Sequence, residues 1–149
     1  MRGTVVCAVT EGEWSDGAVA HAVAVSEGLG LRLVLAHVVD GIGAAGNGGD
    51  ESVTMSADRK AAERRLHELA LDHGVADSAE RRVVIGEPAA LVGQIAAEEA
   101  ADVIVVGSRA RGWGRRGLTS RLAEELETET PVPVLIAPPR TRRARQRAA

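Results

Sequence analysis

At 149 residues and a formal charge of −3, the chain has the size of one domain, large enough to bury an ordinary core without metal or disulfide support. Its single cysteine, Cys7, lies in an apolar run, which fits a packing residue in a reducing, cytoplasmic setting and excludes a disulfide framework. No apolar run approaches a membrane span and no signal-peptide pattern opens the chain, so neither membrane insertion nor export is expected; with Phe and Tyr absent and Trp14 and Trp113 the only aromatics, base stacking on nucleic acid has almost nothing to use.

Thr4 to Val9 reads as a first strand, and Ser15 is placed to cap a helix carrying Ala18, Val19, Ala22, Val23 and Leu29 on its inner side. Arg32 to Val39 is a second buried strand. The stretch from Asp40 to Asp50, nearly all Gly, Ala, Asn and Asp, is expected to be a mobile loop. From about Ser56 to His73 a second helix turns Ala62, Leu66, Leu69, Ala70 and His73 inward and Asp58, Arg59, Lys60, Arg64 and Arg65 to water. Arg82 to Ile85 is a third strand, Gly86 to Pro88 a turn with proline at the first helical position, and Leu91, Val92, Ile95 and Ala96 mark a third helix.

Asp102 to Val106 is a short β-branched run that meets Gly107 at once, the pattern of a central fourth strand. The loop from Gly107 to Gly117 is rich in glycine and arginine. Leu118, Leu122 and Leu126 then recur every fourth residue, with Ala123 beside them and Glu124, Glu125 and Glu127 opposite, so an amphipathic helix follows. Pro131 to Ile136 is the last strand. Residues 1–137 thus form the domain, and 138–149 a basic tail in which Arg140, Arg142, Arg143, Arg145 and Arg147 follow two prolines with no apolar periodicity; the tail is expected to be disordered. Subtracting those five charges from −3 leaves −8, so the fold itself is acidic.

Five strands alternating with four helices, the strands apolar on both faces, predict an open five-stranded parallel sheet with helices on both faces. In such sheets ligands sit beyond the carboxyl ends of the strands, where the winding reverses. A reversal between strands one and four would set Thr10 to Gly12 against Gly107 to Gly117. Strand, glycine loop and helix in that order aim unpaired N–H groups and a helix N-terminus at one spot, which suits an anion.

Ala8-Val-Thr-Glu-Gly12, His37-Val-Val-Asp40, Gly86-Glu-Pro-Ala89, Val105 to Gly112 and Pro131 to Ile136 together resemble the universal stress protein family, over nearly the whole chain from Val5 to Ala137. The resemblance implies a Rossmann-like fold of the adenine nucleotide alpha-hydrolase-like type, usually dimeric, in a family of which one branch binds ATP or AMP and another binds no nucleotide. In binders an Asp follows the first strand, where Thr10 stands here. The binders' motif is Gly, two residues, Gly, nine residues, Gly, then Ser or Thr; here those positions hold Gly107, Ala110, Ser120 and Arg121, so only the first is kept. Ser120 still offers an N–H and a hydroxyl, and Arg121 can replace a hydroxyl contact with a charged one to phosphate.

The literal G-x-G-x-x-G strings at 41–46 and 112–117 are not dinucleotide fingerprints: the first runs on into more glycine, and the second starts five residues after its strand, with no acid ending the strand beyond it. Arg109, Arg111, Arg115 and Arg116 surround the anion site and can clamp phosphate; Arg109, nearest the strand end, is best placed to do so, whereas Arg115 and Arg116 read as solvated, and Thr119 and Ser120 as ordinary N-caps. Trp113 reads equally as a cover for a ligand or as a lid residue. His21, His37, His67 and His73 lack ligand spacing, so no metal site is expected. Ser108 with His37 lacks the surrounding motif of a hydrolase.

The reading is a cytoplasmic stress-response or regulatory protein that binds ATP or AMP through Ala8, Thr10, Val38, Val106, Gly107, Ser108, Arg109, Ala110, Ser120, Arg121 and Leu122. It has no catalytic residue, and forms a homodimer through the last strand. An unidentified protein partner is expected; membrane and nucleic acid are not. A ligand-free dimeric interaction module and a slow nucleotide hydrolase stand as alternatives.

Overall fold

A computed structural model of the protein describes residues 3–10, 14–39, 51–108 and 121–138. Along the chain run β1 (Thr4–Val9), α1 (Trp14–Leu29), β2 (Arg32–Val39), α2 (Glu51–Asp72), β3 (Glu80–Ile85), α3 (Pro88–Glu98), β4 (Val103–Gly107), α4 (Arg121–Glu129) and β5 (Val134–Ala137). All strand pairs are parallel and the order across the sheet is β3-β2-β1-β4-β5. The winding therefore reverses between β1 and β4, as expected.

Side chains alternate across the pleat, so each strand feeds two cores. Val5, Cys7 and Val9 of β1 pack with Leu33 and Leu35 of β2 under α1 and α2, where Ala18, Val19, Leu66 and Leu69 close the layer. Val6 and Ala8 pack with Val34, Ala36 and Val38 on the opposite face, under Val92 and Ile95 of α3 and Ala123 and Leu126 of α4. The burial of β1 along its whole length explains why it reads as a continuous apolar run rather than an alternation. Burial also pushes the Cys7 thiol up to about 12, so it stays protonated and inert.

Local chemistry sets the turns. Pro88 opens α3 as expected, and the Glu87 carboxylate caps it by accepting from Ala89 N at 3.2 Å and Ala90 N at 2.7 Å. Gly86 has φ +149°, and a Cβ there would lie 2.8 Å from Leu91 Cδ1. Several details differ from the sequence reading: β3 begins at Glu80 rather than Arg82, β5 runs from Val134 to Ala137 rather than from Pro131 to Ile136, and Arg65, expected to face water, is half-buried with its Nε buried. Helix α2 begins at Glu51 rather than near Ser56. Leu29, expected to face inward, is 70% exposed, because at the last residue of α1 the helix has run past its floor. Ser15 lies inside α1 rather than capping it, and bonds back to Thr10. The loop 40–50 and the basic tail beyond Pro138 lie outside the described residues.

Candidate functional site

The carboxyl ends of β1 and β4 form the two walls of the reversal. Their register runs through Val5↔Val103, Val6↔Ile104 and Cys7↔Val105, so Ala8 to Thr10 emerge on one side and Val106 to Ser108 on the other. On the far side of β1, Ala8 is in register with Ala36 and Val9 with His37, which brings Val38 to the same end of the sheet. Ala8, Val38 and Val106 share one face and one apolar cluster, each nearly or fully buried. They contribute aliphatic side chains to that end of the sheet, and no polar side-chain atom.

The two polar residues of the cleft are in opposite states. The Thr10 backbone is fully engaged: Ser15 Oγ accepts from Thr10 N at 3.1 Å and donates to Thr10 O at 2.5 Å. A buried serine inside α1 thus closes the β1–α1 turn, leaving Thr10 only its side chain to offer a ligand. Across the cleft, Ser108 directly follows Gly107 and is 1% exposed, and its hydroxyl has no hydrogen-bond partner among the described residues. Such orphaned buried hydroxyls are uncommon, and each calls for an explanation.

His37, also 1% exposed, has neither ring nitrogen hydrogen-bonded among the described residues. Burial, reinforced by the charge of Arg65, lowers its pKa to about 4, so the ring is neutral at physiological pH. It is not hydrogen-bonded to Ser108, and β1 lies between their strands, so the two do not form a nucleophile and base. Among the described residues there is also no group of three or more His, Cys, Asp or Glu able to hold a metal. Among the described residues, the polar groups of this cleft are the Ser108 hydroxyl and the Thr10 side chain, beside the backbone at Gly107.

Arg121 and Leu122, at the start of α4, sit differently from each other. The Arg121 side chain is 84% exposed and paired through Nε with Glu125 at 3.1 Å, while Leu122 is half-buried against the α3/α4 cluster. Arg109, Ala110 and Ser120 lie outside the described residues, as do Arg111, Trp113, Arg115, Arg116 and Thr119. Sequence reasoning missed the lock of Ser15 on Thr10. Its signal was a serine five residues beyond Thr10, the residue that follows β1, which a helix cap accounts for equally well.

No curated protein matches the chain. The profile of the universal stress protein family matches residues 1–138. The chain belongs to the universal stress protein family. Among solved structures, this universal stress protein is similar to UspA from Lactobacillus plantarum, at 16% identity and a TM-score of 0.73 over 92% of this chain and 99% of that one. It is also similar to a universal stress protein from Burkholderia pseudomallei, at 24% identity and a TM-score of 0.70 over 93% and 96% of the two chains. A third likeness is to a universal stress protein solved in complex with cAMP, at 22% identity and a TM-score of 0.65 over 93% and 98%. At these identities the likeness establishes the shared fold.

Proposed function

We propose that this universal stress protein is a cytoplasmic binding protein that takes an adenine nucleotide, ATP or AMP, in the cleft between β1 and β4. The observation that carries the reading is the Ser108 hydroxyl, buried and unpartnered at the carboxyl end of a central strand, on the winding reversal. Leaving such a group unsatisfied costs about 1–3 kcal/mol, which a phosphate oxygen accepting its hydrogen bond would offset. Gly107 beside it lets the backbone come close to an anion. Adenine rests on aliphatic surface at Val38 and Val106. The cAMP complex of a protein with the same fold supports an adenine nucleotide as the class of ligand.

Phosphate contacts extend from Ser108 to Arg109, and from the start of α4 to Ser120, Arg121 and Leu122. Occupancy then orders the loop from Ser108 to Gly117 and alters a surface that faces a protein partner. Binding is modest because Thr10 stands where a carboxylate serves the nucleotide-binding branch and because its backbone is already engaged by Ser15. Isothermal calorimetry with ATP, ADP and AMP in the presence of magnesium should detect binding, weakened by Arg109→Ala and by Gly107→Val and strengthened for ATP by Thr10→Asp. No heat with any of the three in the wild type would overturn the reading and leave a ligand-free interaction module.

The same protein is proposed to dimerise through β5. This edge strand carries Leu135 at 40% exposure beside half-buried Val134 and Ile136, and an apolar edge with unpaired backbone is normally covered. Light scattering should give a dimer at high micromolar concentration, weakened by Val134→Lys; a wild-type monomer would remove the idea.

A further inference from the structure

The opposite edge of the sheet carries a second feature that nucleotide binding does not use. Between α2 and the edge strand β3 lies an open cavity of about 350 Å³, lined by Arg59, Glu63, Leu66, His67, Arg81 and Val83. Arg32, Arg82 and Arg121 each pair with a glutamate. Arg59 and Arg81 do not: among the described residues neither has a carboxylate partner, in a fold whose net charge is negative.

Both guanidiniums are nevertheless held in place. Arg59 Nη1 donates to Val83 O at 3.2 Å, and Arg81 Nη1 lies 2.6 Å from His67 Nδ1. Because arginine is always a donor, His67 accepts through Nδ1 in this contact. Each guanidinium spends one N–H on its anchor and keeps the others. Val83, whose carbonyl anchors Arg59, and Arg81 itself are two residues apart along β3, which in an extended strand is about 7 Å.

We propose that this groove takes an extended acidic peptide segment, running along β3 with carboxylates at alternate residues. An extended chain places residues i and i+2 on one side at that same spacing, so one carboxylate meets Arg59 and the next meets Arg81. Leu66 and Val83 supply an apolar floor for the intervening stems. Glu63, the one carboxylate of the rim, opposes the segment and sets a limit on affinity. Preorganised guanidiniums lose little side-chain freedom on binding, which favours charge-assisted recognition here over the mobile lysine of an ordinary surface.

The test is a titration of the ¹⁵N-labelled full chain, followed by NMR, with an acetylated and amidated peptide alternating threonine with glutamate. Saturable shifts are expected in the amides from Glu63 to His67 and from Arg81 to Val83. Arg59→Gln and Arg81→Gln should each raise Kd about fivefold, and Glu63→Gln should lower it about twofold, the signs expected of charge-assisted pairs and like-charge repulsion. All three positions are exposed, so the variants should fold. The proposal is overturned by the absence of saturable shifts at millimolar peptide, by equal binding of the same peptide with glutamine for glutamate, or by shifts confined to Gly107 and Ser108. Concentration-dependent shifts of these amides without peptide would make a second copy the occupant and would equally overturn it.

Discussion

The two ends of the sheet treat their polar groups in opposite ways. At the amino end, Thr4 N donates to Asp102 Oδ2 at 2.9 Å and Asp102 N to Thr4 O at 2.8 Å. Arg32 reaches Glu99 at 2.7 Å, Glu80 at 3.3 Å and Thr4 Oγ1 at 3.4 Å, and Arg82 reaches Glu98 at 2.7 Å. The hydrogen bonds of Glu98 to Arg82 and Gln94 hold its carboxyl below the ordinary value. At the carboxyl end, His37 and Ser108 are buried with no hydrogen-bond partner among the described residues. Among the described residues the chain satisfies its polar groups across four elements at one end and leaves two side chains orphaned at the other, and the nucleotide site we propose lies at the orphaned end.

The largest effect separating the ends should come from His37. Its pKa falls from an ordinary 6.5 to about 4 in the folded state, so between those values the unfolded chain takes up a proton that the folded chain refuses. Stability contributed by the neutral ring is complete above pH 6.5 and is lost as pH drops towards 4, by roughly 3 kcal/mol. Urea denaturation at pH 7 and pH 4 should show that loss in the wild type, and His37→Leu should lack this component. Identical pH profiles would mean that the ring is not held neutral.

Next in size is the amino end itself. Asp102→Ala strands the Thr4 N–H in a partly buried position and should cost about 2 kcal/mol in the same denaturation assay, with nucleotide affinity unchanged. A loss of nucleotide affinity would merge the two ends into one functional unit. The smallest effect belongs to Arg32→Gln. Its side chain is half exposed, so even with two glutamate partners the change should cost under about 1 kcal/mol.

The contrast also shows what a sequence can disclose. Apolar runs placed β1 and β2 to the residue, because burial on both faces leaves no ambiguity of period. The start of α2 was less visible, since the sequence from Glu51 to Met55 has no helical apolar period, and the helix extends past its apolar pattern. Leu29 has the right angular position for the inner face of α1, yet only the fold reveals that nothing lies beneath it. At the candidate site, Gly107 and Ser108 were legible as a strand end meeting a glycine loop. That the Ser108 hydroxyl has no partner, that Ser15 occupies the Thr10 backbone, and that Thr4 meets Asp102 from 98 residues away are properties of long-range assembly or local closure that no periodicity encodes.

Ser108→Ala, measured for thermal unfolding and for ATP affinity by calorimetry on the same preparations, bears most directly on the carboxyl end as the binding end. Removing an orphaned buried hydroxyl relieves an unsatisfied group, so the melting temperature should hold or rise slightly, while ATP binding should weaken about fivefold through the lost hydrogen bond. A lowered melting temperature with ATP affinity intact, or a wild type that binds no ATP at all, would contradict it.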